Sequence, residues 1–257
     1  MNPTLGRIYS QVYKNLMSLK RNTFRLADIF VWPIIFLFTL TFFATYIGSD
    51  TQYLQAIILG MMGWRMIYFL NMEIVMSFTE EYWSKSLPHL LISPISRLEF
   101  AIGAAISGLI KGLFVIVFYL IFTHFIYGFN VTNWPVFALA IGFFALIGFS
   151  MGLFTLGFAY FAKEQAFNVS FIWPDVIVLL SGVYFSVDAV YPSYLVPFVK
   201  LLPSAQAFEL LKSTIGLGTP NVPLLTVLTA IWLVGAYFSS GYLYDLARKR
   251  GKLTRLG

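Results

Sequence analysis

Six apolar runs, each about as long as a bilayer is thick, decide most of what this chain can become. They lie at about Ile29–Ile47, Leu54–Phe78, Phe100–Ile126, Trp134–Phe161, Phe167–Phe185 and Val222–Leu243. A helix rises about 1.5 Å per residue, so roughly 20 apolar residues cross about 30 Å of hydrocarbon. Backbone polar groups must find partners internally there, which leaves helices or closed barrels. No alternating strand pattern competes. The expected fold class is an all-α integral membrane protein with six transmembrane helices. The charged fraction of 11% agrees, since a soluble domain carries about 25%. The chain has no cysteine, which excludes disulfides, thiolate metal sites and thiol catalysis.

The bases give the orientation. Arg7, Lys14, Lys20, Arg21, Arg25, Lys85, Arg97, Lys163, Arg248, Lys249, Arg250, Lys252 and Arg255 fall on one side of the six runs, against Lys200 and Lys212 on the other. By the positive-inside rule both termini are expected in the cytoplasm, and an even number of passes agrees. The net charge of +6 then reflects topology, and no nucleic-acid partner is expected.

Three segments lie outside this plan. In residues 1–28, Leu5, Ile8, Tyr9, Val12, Tyr13, Leu16 and Met17 follow helical spacing, with Arg7, Gln11, Lys14 and Asn15 on the other face. That pattern predicts an amphipathic helix lying in the interface, with a basic polar side. No cleavable signal peptide is expected, because the segment lacks a compact apolar core. Residues 79–98 join spans 2 and 3. There "EYWSKSLPHLLI" predicts a short helix with Leu87, Leu90 and Leu91 on one side and Lys85, Ser86 and His89 on the other. Ser96 and Glu99 have capping-box spacing at the start of the next helix. A three-residue turn would have sufficed, so a patterned helix suggests a plug for another protein's groove. Residues 186–219 are apolar but broken by Pro192, Pro197, Pro203, Gly216 and Gly218. They read as two short helices dipping back into the membrane, since broken backbone is tolerated at that depth only under shelter.

Arg65, Glu73, Lys111 and Asp175 fall within the apolar runs. A charge at the bilayer centre costs about 2.5–3.5 kcal/mol on insertion scales, so such residues face a bundle interior, a partner or a cavity. Glu73 with Lys111 is the first expected pair and Asp175 with Lys111 the second. His89 and His124 lie on opposite sides and cannot share a metal. "GFSMG", Gly148 to Gly152, matches a serine-nucleophile pattern. No histidine follows His124, however, and the small residues fit a close-packing face better. "GAAISGLIK", Gly103 to Lys111, lacks the ending of a phosphate loop and lies in a membrane run, so no nucleotide site is expected in this chain.

Two longer stretches carry a resemblance. "FTEEYWSKSLPHLLISPISRLEFAIG" is similar to the E-x-W-S-x-x-L…S-P-x-S…E segment of ABC-2 type permeases, the membrane subunits of ATP-binding-cassette exporters. "LLSGVYFSVDAVYPSYLVPFVKLLPSAQAFELLK" resembles the same family's segment after span 5, with Ser186 and Tyr191 as departures. The early Pro33 and the N-terminal helix fit as well, so the resemblance covers nearly the whole chain as a single transmembrane domain, 1–257.

The resemblance implies a non-catalytic half-transporter in a prokaryotic plasma membrane, paired with a second, identical permease chain. A separate cytoplasmic ATPase would carry the ATP and magnesium. Residues Glu81 to Ile92 would form the coupling helix, with Glu80, Glu81, Tyr82, Trp83, Lys85, Leu87, His89, Leu90 and Leu91 as candidate ATPase contacts. The outer cap would include Asp188, Pro192, Pro203 and Glu209. The charges within the apolar runs, Arg65, Glu73, Lys111 and Asp175, would either line the path or pair to fix helix packing. The expected cargo is amphipathic: a drug, a lipid or a glycan-lipid moved outward. The rival reading is a self-sufficient carrier or channel using those four charges as a relay. No inverted repeat supports it.

Overall fold

The structure, a computed structural model, describes residues 3–162 and 164–252. Lys163 and Arg255, two of the bases counted above, lie outside them. Among the described residues every regular element is helical. The helices are α1 (Pro3–Arg21), α2 (Thr23–Tyr46), α3 (Thr51–Trp83), α4 (Leu87–Ile92), α5 (Arg97–Tyr127), α6 (Trp134–Ala162), α7 (Glu164–Leu180), α8 (Val187–Val190), α9 (Val196–Lys200), α10 (Pro203–Lys212) and α11 (Val222–Lys249).

The bundle is organised around α3. From Ile58 to Asn71 every residue of this helix is buried, as expected of a helix surrounded by others rather than laid on a core. Helices α2, α5, α6, α7 and α10 pack against it. Small residues permit the close approach: a Cβ at Gly108 of α5 would sit 2.7 Å from the Phe69 carbonyl oxygen. One at Gly148 of α6 would sit 2.9 Å from the Ile67 Cα. The "GFSMG" stretch is thus a packing face. The hydroxyl of Ser150 donates to the Ile147 carbonyl of its own helix at 2.8 Å and is buried.

Among the described residues five helices, α2, α3, α5, α6 and α11, are long and apolar enough to cross a membrane. The fifth expected span is the exception. The sequence suggests Phe167–Phe185, but α7 runs from Glu164 to Leu180, 17 residues with Pro174 inside, or about 25 Å. It stops because Gly182 takes a left-handed turn at φ 61°. Ser181 and Ser204 then share a hydrogen bond of 2.7 Å, folding the chain back onto α10.

The link from α3 to α5 is built with specific caps. α5 opens with the expected capping box: Ser96 Oγ accepts from the Glu99 N–H at 3.2 Å, and Glu99 Oε2 accepts from the Ser96 N–H at 2.7 Å. At the end of α3 the Ser86 N–H reaches the Glu81 carbonyl and the Lys85 N–H reaches that of Tyr82. This pairing is a Schellman cap, with Lys85 at φ 57° where glycine is usual. A left-handed lysine costs about 1–2 kcal/mol, and glycine there gives back about 0.5–1 kcal/mol in chain entropy. Lys85→Gly should therefore raise stability by up to about 1 kcal/mol, and Lys85→Val should lower it, as read from thermal unfolding of the purified protein.

Candidate functional site: a stitched helix pair and a polar cavity

The two ends of the bundle differ in chemistry. At one end α1 lies across the finish of α3 and the start of α5, and its polar stripe faces inward. Gln11 and Asn15 are buried, while Leu5, Tyr9 and Tyr13 are each more than half exposed. The amphipathic helix expected from sequence is present. Its basic side, however, binds the protein instead of facing water or headgroups.

The reason lies in the acids of the α3–α5 connection. Arg7 grips Glu99 through two nitrogens at 2.6 and 2.9 Å, and this contact holds the Arg7 pKa above its ordinary value. Lys14 pairs with Glu81. Arg25 reaches Glu80 at 3.2 Å, and Ser18 donates to the same carboxylate at 3.3 Å. The Asn15 amide donates to Ser77 Oγ at 2.7 Å. All three acids between Ser77 and Phe100 are therefore ties to the N-terminal segment. Single half-exposed pairs contribute little, but this row fixes where α1 sits.

Helix α4 shows the expected division of faces, but with a different outward side. Leu87 is fully buried, and Leu90 and Leu91 are half-buried in a crevice with Phe78, Phe100, Tyr160 and Tyr244. Part of the surface of Leu90 and Leu91, expected as docking residues, is thus taken up by the protein's own core. The outward residues are Pro88, His89 and Ile92, the last 83% exposed. Exposed Trp83, Ser84 and Lys85 continue that surface. Tyr82 is half-buried against the core.

Helices α2, α3, α5 and α7 line an open-sided cavity of about 540 Å³. Its wall includes Arg65, Glu73, Lys111 and Asp175, so one space brings together all four intramembrane charges expected from sequence. Lys111 Nζ meets Glu73 Oε2 at 2.5 Å with both side chains 6% exposed; the first expected pair is the one that forms. Asp175 is exposed at the cavity's edge and makes no ion pair with Lys111. Arg65 is 2% exposed, and its guanidinium lies 4.6 Å from the Trp64 ring centre, 5.3 Å from Phe36 and 5.5 Å from Tyr68. Trp32, Phe167 and Phe171 extend this aromatic lining.

The opposite end carries α8, α9 and α10, three short helices where two were expected. Asp188 and Lys200 pair at 2.8 Å on the surface, and Pro192 is exposed. Pro203 starts α10 at a position where its missing N–H costs nothing. Glu209 accepts from the Thr219 N–H at 3.2 Å. Lys212 is buried, donating to the carbonyls of Gly182 and, at 2.8 Å, Phe185. Burial pushes its pKa down, with Glu209 opposing.

Two polar residues were missed. Asp28 lines the cavity and accepts from the Tyr68 hydroxyl at 3.4 Å; it lies one residue before the first apolar run and so reads as a flank. Asn71 is fully buried, donating to the Ser170 carbonyl at 2.8 Å and accepting from Thr155 at 3.0 Å. An asparagine two residues from Glu73 in an apolar span was a usable signal.

A helical bundle with five membrane-length helices among the described residues, a charged cavity and an amphipathic helix fastened across one end is the architecture of a multi-pass membrane protein. The chain belongs to the ABC-2 type transporter family, whose sequence model matches residues 8–215. It is thus the membrane permease component of an ABC transporter, a kind of subunit that generally works with a separate ATP-binding subunit and is generally not itself catalytic. No curated protein matches the chain.

Proposed function

We propose that this chain is the permease subunit of an ATP-driven exporter in a prokaryotic plasma membrane, with α7 as the fifth of six crossings and both termini in the cytoplasm. A separate ATPase, binding ATP and magnesium, docks on the outward side of α4. A second, identical permease completes the path, the cavity holds an amphipathic cargo, and α8–α10 form a re-entrant cap at the exit. The observation that carries this reading is the row of ties from Arg7, Lys14 and Arg25 to Glu99, Glu81 and Glu80. Because of them, a push on α4 is received by α1, α3 and α5 together. ATP then acts by favouring one arrangement of these helices, since a ligand that binds two states equally shifts neither.

The docking face gives the test. The partner ATPase should copurify with this chain, and Ile92→Asp should cut recovery of that complex at least about tenfold, by placing a charge in an apolar contact. Retention of the ATPase by Ile92→Asp combined with His89→Asp would overturn the proposed surface. Transport by the purified permease without any ATPase would overturn the exporter reading itself.

A further inference from the structure

The inference concerns Arg65 and deepens the reading of the cavity as the cargo's path, on which it rests. Its guanidinium is 2% exposed, yet Nε and Nη2 have no hydrogen-bond partner. Those two nitrogens lie on the same edge of the planar group. They form the side-on fork that matches the two oxygens of a carboxylate or phosphate. Buried donors of this kind are rarely left unmet without a reason.

Asp28 and Asp175 interact with Arg65 through space, but neither carboxylate pairs with it within 4 Å. The other cavity bases are engaged: Lys111 holds Glu73, and Arg25 holds Glu80. Asp28 accepts from Tyr68, and Arg65 makes no salt bridge within 4 Å among the described residues. Phe36, Trp64 and Tyr68 hold the guanidinium by their rings. They fix its plane and supply an attraction that leaves its N–H edge free. Asp175 is exposed at the cavity's edge and makes no salt bridge with Arg65. The same wall also carries Ile29, Trp32, Phe167 and Phe171. An acidic group joined to an oily body suits a wall that offers both kinds of surface.

We propose that Arg65 is a recognition site for an anionic oxygen-acid headgroup, and that the cargo is an amphiphile carrying such a group with its apolar part against the aromatic wall.

Hexyl phosphate is a suitable probe, being soluble and simple, and hexyltrimethylammonium is its cationic counterpart. Binding of each to the purified full-length permease in neutral maltoside detergent can be measured by titration calorimetry, with no ATPase present. The phosphate should bind at least about tenfold more tightly than the ammonium. Arg65→Gln should weaken phosphate binding roughly 10- to 100-fold, the loss expected for charge-assisted hydrogen bonds. Arg65→Lys, which keeps the charge and loses the fork, should fall between, and ammonium binding should not weaken in either variant. Equal binding of the two probes, a preference for the ammonium, or full phosphate affinity in Arg65→Gln would each overturn the proposal. The wild-type comparison decides the matter even if the variants fail to fold. Because the ATPase is absent, failure here leaves the exporter reading intact. Loss of ATPase copurification with phosphate binding preserved would strike only that reading.

Discussion

Glu73→Ala is expected to destabilise the protein by about 3–5 kcal/mol, because it leaves the Lys111 ammonium buried and uncompensated. Both partners are only 6% exposed in the cavity wall, so the ammonium depends on the carboxylate more than on solvent. Replacing both partners by apolar residues of similar size, Glu73→Leu with Lys111→Met, should recover most of the loss. Unfolding in mild detergent reads both effects. A single variant within about 1 kcal/mol of wild type would mean that solvent already reaches the pair. The double variant also separates two roles. If it is stable but inactive in transport, the pair belongs to the path; if stable and active, the pair only sets helix packing.

The second large effect concerns how closely α5 approaches α3. Gly108→Val places a Cβ 2.7 Å from the Phe69 carbonyl oxygen and 3.0 Å from the Leu70 Cα, both backbone atoms of a helix buried on every side. Overpacking usually costs about 1–3 kcal/mol, and here no flexible side chain can give way, so a loss at the top of that range or above is expected. Gly142 is the internal control: it is exposed on α6, with nothing within 4 Å of a new Cβ. Gly142→Ala should instead stabilise by about 0.5–1 kcal/mol through reduced chain entropy. Equal behaviour of the two variants would show that α5 does not press on α3 at Gly108.

The apolar runs, the N-terminal helix, the Ser96–Glu99 cap and the Glu73–Lys111 pair were all legible in the sequence, because each rests on local spacing or on the cost of an unpaired charge. What could not be read is which neighbour a face meets. The stripe of Arg7, Gln11, Lys14 and Asn15 looks the same whether it faces water or a row of acids. Only the packing of α1 over α3 and α5 shows that its partners are Glu80, Glu81 and Glu99. Likewise, Leu87, Leu90 and Leu91 share a side of α4 in either account, and the fold decides that this side is turned inward. The early end of α7 depends on a turn at Gly182 that hydropathy does not register. The caging of Arg65 needed rings from two helices, which no linear pattern displays.

The inverted dressing of α1, oily outward and ionic inward, makes it a float moored by charge. Its outer residues Leu5, Tyr9 and Tyr13 leave an oily face uncovered, while its moorings answer to electrolyte. Such moorings slacken as salt shortens the reach of each charge. A rise in salt would therefore loosen this joint, a sensitivity that an apolar seam would lack.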